Sequence, residues 1–487
     1  MRKTVLMIAV MLLAWGSVSA KNWKPEEVKA IIANVNNSWQ KHHPANRDRA
    51  FWDPAVYHTG NMEAYFLFNE SSDEKERKTA DRWRKYSKRW GERNFFQGAS
   101  EIDPAKWKYK NYGEGPQYVL FGDWQICFQT YIDLYNDALT KKSYNPRYIQ
   151  RPKEVMSYEK RSKANDYWWW ADALYMVMPV MTKMYLLTGD EGYLDKMYEN
   201  WKYCNSIMYD KETGLYFRDG KYVYPNHKTE SGKKDFWARG DGWVIAAFAK
   251  VLKDLPKDYK HRQEIIDYYR KLAAALVVCQ QEEGYWTRSL LDPQQAPGRE
   301  TSGTALNCYG LLWGINNGIL PRTYLPAAEK AWEYLATIAL QPNNTVGYVQ
   351  PIGEKAIPGQ VVDQESVTNF GTGAFLLAAC EYYRFISKSL RHAWMIAGVE
   401  SDAVIGHRKE KLSMFDRTGY LDVYGLAMAD RVYHKFPDYP QQRMCGIVRQ
   451  PVTRYVEPHR QRCSVEMRTH RPANGFVHIL FVQREVT

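Results

Sequence analysis

The chain has 487 residues, of which 45% are hydrophobic and 15% aromatic, and its formal net charge is +12 at pH 7. The positive excess forms no Lys/Arg stripe with interleaved aromatic residues, and half of it (16 Lys+Arg against 10 Asp+Glu, or +6) lies in positions 388–487. This distribution argues against a nucleic-acid-binding protein, whereas a diffuse basic surface suits an acidic substrate or is simply solvated. The seven cysteines include no Cys-x-x-Cys pair, so we predict neither a disulfide framework nor a metal site built on sulfur.

The first 20 residues have the layout of a secretory signal peptide. Arg2 and Lys3 precede a short apolar run at 5–15, and the small residues at 18–20 suit cleavage after Ala20. The apolar run is too short to span a bilayer, and no later segment reaches the ~20 apolar residues that a membrane helix needs. We therefore expect a periplasmic or secreted protein without membrane insertion. The alternative is that the run is an apolar helix of the folded domain.

One kind of segment recurs along the chain, in which small or polar residues open an apolar helix rich in Ala, Leu and aromatic residues. Its six copies open about 50 to 70 residues apart. The first opens with Thr-Gly-Asn at 59–61 and the last with Gly-Thr-Gly at 371–373. In chain order, the predicted helices cover 62–68, 124–136, 173–188, 243–254, 305–317 and 374–386.

More polar, charged helices are predicted to alternate with these copies, at 26–42, 73–91, 146–164, 191–209, 258–280 and 324–340. Six apolar and six charged helices predict an all-α chain folded as a six-fold α/α barrel, because one repeat cannot bury its apolar face alone. The starts of the inner helices would direct unpaired N–H groups toward a central cavity. Such helix termini favour a carboxylate ligand.

This pattern predicts a barrel catalytic domain at 21–387, followed by a tail of unknown nature at 388–487. The tail contains six of the eleven histidines and little helical periodicity. It is either a small appended domain or sequence with no selected fold, even an out-of-frame read. We assign it no function.

Two aspartates occupy matching places in adjacent repeats. Asp172 opens one inner helix beside the tryptophans at 168–170, and Asp123 stands before Trp124 one repeat earlier. Carboxylates from adjacent inner helices at one end of a cavity are what glycosidic chemistry needs. A dry aromatic wall, to which Trp170 contributes, and a neighbouring carboxylate would both raise the pKa of an acid. The alternative role of Asp172 is to cap its helix.

The segment FWARGDGW at 236–243 is the next candidate cluster. Arg239 and Trp243 are four residues apart and share a helical face, so the guanidinium can clamp a uronate carboxylate while the indole stacks on the sugar ring. The alternative is that Arg239 pairs with a structural carboxylate and that Trp243 belongs to the core. Asp241 lies between them in a Gly-Asp-Gly sequence that is a weak signal for phosphate.

These residues resemble those of glycoside hydrolase family 105, the unsaturated rhamnogalacturonyl hydrolases. The segment at 236–243 looks like the FWARGNGW motif of that family. Supporting matches are WADALYM at 170–176, ETSGTA at 300–305 and WGINNG at 313–318. The resemblance covers about residues 25 to 386, and the related family 88 shares the fold and both aspartates.

The resemblance implies a hydrolase that removes an unsaturated uronyl residue from the non-reducing end of rhamnogalacturonan or pectin oligosaccharides. Asp172 would protonate C4 of the enol ether and help water to add at C5, and the resulting hemiketal would open and release the leaving sugar. Asp123 would contact ring hydroxyls and tune Asp172. Arg239, Trp243 and Trp170 would fall on substrate-binding positions. No metal or organic cofactor is implied, and the partner is an acidic oligosaccharide.

The chain departs from the family pattern at two places. Asp241 replaces the usual Asn, and Arg218 follows the Gly-Leu-Tyr-Phe run at 214–217, where many members have a histidine. Either Arg218 takes over carboxylate binding or the loop differs, with His227 further on. His58, before the first predicted inner helix, is a further candidate for the cavity, although such a histidine is more often a packing residue.

Two other functions remain open at this point. One is an ordinary two-carboxylate glycosidase or a lyase on the same barrel. The other is a non-catalytic glycan-binding protein that keeps the barrel and its aromatic residues.

Overall fold

The computed structural model describes residues 21–143, 145–396, 463–470 and 478–485. The chain divides by its internal contacts into two compact units, Met1–Lys388 and Ser389–Thr487. The signal peptide predicted at 1–20 lies outside the described residues, as does most of the predicted tail. The domain boundary proposed from the sequence therefore stays a prediction.

The first unit is built from helices, and in its described part extended pairing is limited to isolated bridges. The inner helices are α2 (Trp52–Asn69), the short α4 (Gly122–Gln125) leading into α5 (Cys127–Thr140), α7 (Asp172–Thr188), α9 (Ala238–Asp254), α11 (Thr301–Asn316) and α13 (Asn369–Ile396). The outer helices are α1 (Pro25–His42), α3 (Glu74–Arg93), α6 (Arg147–Arg161), α8 (Gly192–Met208), α10 (Arg262–Val278) and α12 (Leu325–Tyr334), which continues as a π-helical turn over Leu335–Ala339. The predicted six-fold α/α barrel is confirmed.

Burial separates the two layers. Every residue of α11 from Thr301 to Ile315 is buried, as a helix must be when it is packed on all sides. Outer helix α3 buries one stripe, and its buried residues are Ala80, Trp83, Tyr86, Ser87, Trp90 and Gly91. The periodicity of charge in the sequence therefore identified which helices face solvent.

The first and last inner helices meet backbone to backbone at Gly60 and Gly373. A Cβ on either glycine would overlap the main chain of the other helix, at the carbonyl of Gly373 or of Val56. Both glycines lie inside helices, since α2 begins at Trp52 and α13 at Asn369. The predicted helix starts after 59–61 and 371–373 were therefore wrong. The small residues allow close approach of two helices and do not interrupt them.

Beyond residue 396, the described residues form two strands, β1 (Cys463–His470) and β2 (His478–Glu485). They pair antiparallel, with Cys463 opposite Glu485 and His470 opposite His478. In the first unit the cysteines at 127, 204, 279, 308 and 380 are buried and free. Among the described helices, none combines the length and apolarity needed to cross a membrane.

Gly373→Ala is expected to lower the free energy of unfolding by about 1–3 kcal/mol, because the added methyl group collides with main chain that cannot rotate away. Denaturant unfolding of the variant and the parent measures this difference. Gly220→Ala is the matched control, since its Cβ would meet only a methyl group of Ile207 at 3.6 Å. Equal stability of Gly373→Ala and the parent would show that the two helices can separate without cost.

Candidate active site

Asp172 is positioned by a short backbone pairing at the start of α7. Trp170 forms an antiparallel bridge with Asp219, and the N–H of Ala171 donates to the carbonyl of Arg218 at 2.7 Å. This pairing brings the Arg218 side chain beside Asp172, with 3.7 Å between Nε and Oδ2. The N-cap of α7 is Ala171, and no side chain caps the helix. The capping role considered for Asp172 is therefore not observed.

Asp172 is buried, and its Oδ1 has no hydrogen-bond partner. Burial raises the pKa of this carboxyl to about 6, while the positive charges of Arg218 and Arg239 act in the opposite direction. A carboxyl group with a pKa close to the working pH is suited to donate a proton and then take one back. The Oδ1 of Asp172 therefore has an unused hydrogen-bonding capacity inside the site.

Asp123 lies on α4 and is also buried. Burial raises its pKa well above the ordinary value, the charge of Asp172 raises it further, and Arg218 lowers it. The structure therefore brings the two predicted carboxylates together. Trp170 is buried and packs against Phe121 with 4.6 Å between ring centroids, as expected of an aromatic wall next to Asp172.

Arg218 is the cation at this site. Its Nη1 donates to Asp219 at 2.7 Å and to Glu354 at 3.1 Å, and its side chain is 11% exposed. His227 instead has its Nε2 within 2.7 Å of Asp235 Oδ2. Arg218 and His227 were both candidates for the position of the family histidine. The structure places Arg218 beside Asp172 and His227 beside Asp235.

Arg239 has a different position from the one expected of a substrate clamp. Its two terminal nitrogens donate to the carbonyls of Gln350 at 2.6 Å and Pro351 at 2.8 Å. The guanidinium lies over the rings of Trp237 and Phe370 and is almost completely buried. Arg239 therefore anchors the loop between α12 and α13 and influences Asp172 through its charge. It does not present a free fork to a uronate.

Two other residues proposed from the sequence, Trp243 and Asp241, support the site and do not line it. Trp243 packs against Tyr175 with ring centroids 4.8 Å apart and belongs to the core, as the alternative for this residue proposed. Asp241 accepts a hydrogen bond from the N–H of Tyr216 at 2.8 Å, which fixes the segment that carries Arg218. Both residues therefore affect the site indirectly, through the neighbouring residues that they hold in place.

His58 is a residue of α2 whose side chain packs against α3. Its Nδ1 is 2.8 Å from Ser87 Oγ, and its ring stacks on Trp90 at 3.9 Å. Burial lowers the pKa of His58 well below the ordinary value, so the ring is neutral. The structure therefore places His58 in a packing position, the alternative considered from the sequence.

The sequence reasoning missed Asp53, near the start of α2. Its Oδ2 accepts from Asn369 at 2.9 Å, its Oδ1 is buried without a partner, and its charge raises the pKa of Asp123. Asp53 stands at the opening of an inner helix, as Asp123 and Asp172 do. Placing the helix start at 62 instead of Trp52 hid this correspondence.

A second missed group is Glu114 with its partners Arg49 and Tyr112. Arg49 forms an ion pair with Glu114, and the hydroxyl of Tyr112 donates to the same carboxylate at 3.0 Å. The charge of Glu114 also acts on Asp123. No motif in the sequence signalled this group. In the described part of the chain, no set of three or more His, Cys, Asp or Glu side chains is arranged to hold a metal ion.

Comparison with known proteins identifies the family. The profile of Glycosyl Hydrolase Family 88 matches residues 23–386. A solved protein described as glycosyl hydrolase family 88 from Bacteroides vulgatus is 54% identical and covers 74% of this chain and 100% of its own, with a TM-score of 0.70. A second, named as a polysaccharide lyase, is 59% identical and covers 74% of this chain and 98% of its own, with a TM-score of 0.69. Solved possible members of family 105 share the fold.

Among curated proteins, the unsaturated 3S-rhamnoglycuronyl hydrolase of Formosa agariphila is 39% identical over 219 residues, which are 44% of this chain and 57% of that protein. The chain spans about half the length of the curated relatives it matches. The protein belongs to glycosyl hydrolase family 88. The predicted relationship to families 105 and 88 and the prediction of a glycoside hydrolase are confirmed at the level of the family.

The pKa of Asp172 predicts how activity depends on pH. If protonated Asp172 is the reactive form, activity falls as the pH rises through about 6. Since Arg218 lowers the pKa of Asp172, Arg218→Gln is expected to move this fall to higher pH, together with a loss of rate. The measurement is kcat/KM from pH 4 to 9.

Lys221→Gln is the matched control for this pH profile. Lys221 contacts Asp219 and Glu354 in the same group of charges, and it is not one of the charges that act most strongly on the pKa of Asp172. The pH of the fall is expected to stay in place in this variant. A shift equal to that of Arg218→Gln would remove the specific link between Arg218 and Asp172.

Proposed function

We propose that the protein is a hydrolase that releases an unsaturated uronyl residue from the non-reducing end of acidic oligosaccharides. The observation that carries this proposal is the buried Asp172, whose pKa is raised to about 6 and whose Oδ1 is unpartnered, beside Arg218 and Asp123. This set supplies a proton donor, a cation for the uronate and a second carboxyl for ring hydroxyls. Membership of family 88 supports the same reaction class.

In the proposed reaction, Asp172 transfers its proton to C4 of the C4=C5 enol ether. The C4=C5 electron pair forms the new C–H bond, and positive charge develops at C5 and the ring oxygen. Water adds to C5 and gives a proton back to the Asp172 carboxylate. The hemiketal then opens to a ketone, and the leaving sugar departs with its glycosidic oxygen. Each turnover consumes one water and restores the protonated acid.

Arg218 would pair with the uronate carboxylate, since a guanidinium forms strong charge-assisted hydrogen bonds with this group. Asp123 and Asp53 lie on the anionic side and would accept hydrogen bonds from ring hydroxyls. The names of the curated relatives contain both a rhamnose and a uronate. We therefore propose a rhamnose-type leaving sugar, as in rhamnogalacturonan or pectin fragments, and a periplasmic or secreted location for the enzyme.

A second candidate is a polysaccharide lyase, because a protein 59% identical to this chain carries that name. In that reaction a carboxylate removes the proton from C5, the leaving oxygen departs from C4, and a C4=C5 double bond forms. Hydrolysis of an unsaturated uronide destroys the same double bond. The two reactions therefore change the absorbance of the enol ether in opposite directions, and one assay separates them.

Incubation with lyase-generated rhamnogalacturonan oligosaccharides is expected to remove the enol-ether absorbance and to leave saturated oligosaccharides intact. Asp172→Asn is expected to lower this rate by about 10²–10⁴-fold, the usual contribution of a general acid–base group. Asp267→Asn, the same change on outer helix α10, is the matched control and should retain the parent rate.

Three outcomes would overturn the proposal or a part of it. An increase in absorbance with saturated polymer would establish the lyase. Binding of oligosaccharides without any change in absorbance or reducing sugar would favour the glycan-binding protein. More than a tenth of the parent rate in Asp172→Asn would remove Asp172 from the role of acid.

A further inference from the structure

The loop between α12 and α13 is attached to both arginines of the site. Arg239 holds the carbonyls of Gln350 and Pro351. Three residues further on, Glu354 accepts a hydrogen bond from Arg218 at 3.1 Å. The loop therefore extends from a buried anchor to the cation that lies beside Asp172.

Glu354 is surrounded by groups that bind carboxylates. Besides Arg218, the hydroxyl of Tyr222 donates to its Oε1 at 2.7 Å, and Lys221 Nζ lies 3.2 Å from its Oε2. Two cations and a phenol are the groups expected to recognise the carboxylate of an acidic ligand. Here the carboxylate they hold belongs to the protein.

The carboxylates that already surround Arg218 disfavour the binding of a further anion. The guanidinium already lies 2.7 Å from Asp219 and 3.7 Å from Asp172, in addition to Glu354. A ligand carboxylate placed here would be repelled at short range by Asp219 and Glu354, and also by Asp172 when Asp172 is ionised. Asp219 and Asp172 are buried, whereas the Glu354 side chain is 42% exposed. Of the three carboxylates, Glu354 can therefore move into water with the smallest change in free energy.

We propose that Glu354 occupies the place of the substrate's carboxylate on Arg218, Lys221 and Tyr222, and that an acidic sugar binds by displacing it. This inference rests on the proposed function and adds a residue that determines specificity. A neutral sugar cannot replace the charge of Glu354, so it cannot gain access to Arg218. Because Glu354 must be displaced first, its carboxylate would raise the KM of every acidic substrate. It would also exclude sugars that have no acidic group.

Glu354→Gln is expected to lower KM for the unsaturated oligosaccharide roughly two- to fivefold, the range for a partly exposed ion pair, and to change KM more than kcat. The amide keeps an oxygen that can accept from Tyr222, so the loop retains that contact. The ratio of KM between parent and variant should shrink at high ionic strength, because salt screens the charge that was removed. Steady-state kinetics in low and high salt measure both effects.

Glu365→Gln is the matched control, since Glu365 is an exposed carboxylate of the same loop. Its KM should equal that of the parent. An unchanged or higher KM in Glu354→Gln, or an equal fall in both variants, would overturn the inference while the hydrolase stands.

If the parent does not consume the double bond, the proposed hydrolase activity is wrong. The binding of galacturonate, measured by calorimetry, then tests the displacement of Glu354 independently of that activity. Tighter binding to Glu354→Gln than to the parent supports the displacement. Equal or weaker binding overturns it.

Discussion

The site depends on one carboxyl group that is kept out of water next to a cation. Raising the pKa of Asp172 from 3.8 to about 6 corresponds to ~3 kcal/mol in favour of the protonated form. The start of α7 acts against this shift, because a helix N-terminus stabilises a negative charge by about 0.3–1 kcal/mol, and Arg218 acts in the same direction. Burial therefore outweighs both. A modest opening of this region to water would return Asp172 to an ordinary, ionised aspartate.

Two groups of charged side chains act on Asp123 and Asp172, and in the proposed function they orient the ligand. In the first group, the charge of Asp53 raises the pKa of Asp123. In the second group, Arg218 and Lys221 form ion pairs with Asp219 and Glu354. A uronate has its carboxylate at one end of the ring and hydroxyls at the other, so one orientation would place the hydroxyls against the first group and the carboxylate against the cations of the second. The family to which the chain belongs is consistent with such a ligand.

The barrel makes this arrangement possible by bringing helix starts together. Asp53, Asp123 and Asp172 each stand at the opening of an inner element, and the contact of Gly60 with Gly373 joins the first inner helix to the last. Each of the three aspartates is distant from the others in sequence. Their common position within the repeat is what places them at the same end of the barrel.

The sequence by itself determined the alternation of buried and solvent-facing helices, the six-fold repeat, the family and the pair Asp123 and Asp172. These features are recorded in periodicity and in local motifs, which need no knowledge of distant contacts. Only the tertiary structure decided that Arg239 holds a loop, that Trp243 and His58 are packing residues, and that Asp53 and Glu354 join the site. Those roles depend on which partner lies opposite a side chain. The nearest partners of Arg239 are more than a hundred residues away in sequence, and no local pattern carries that information.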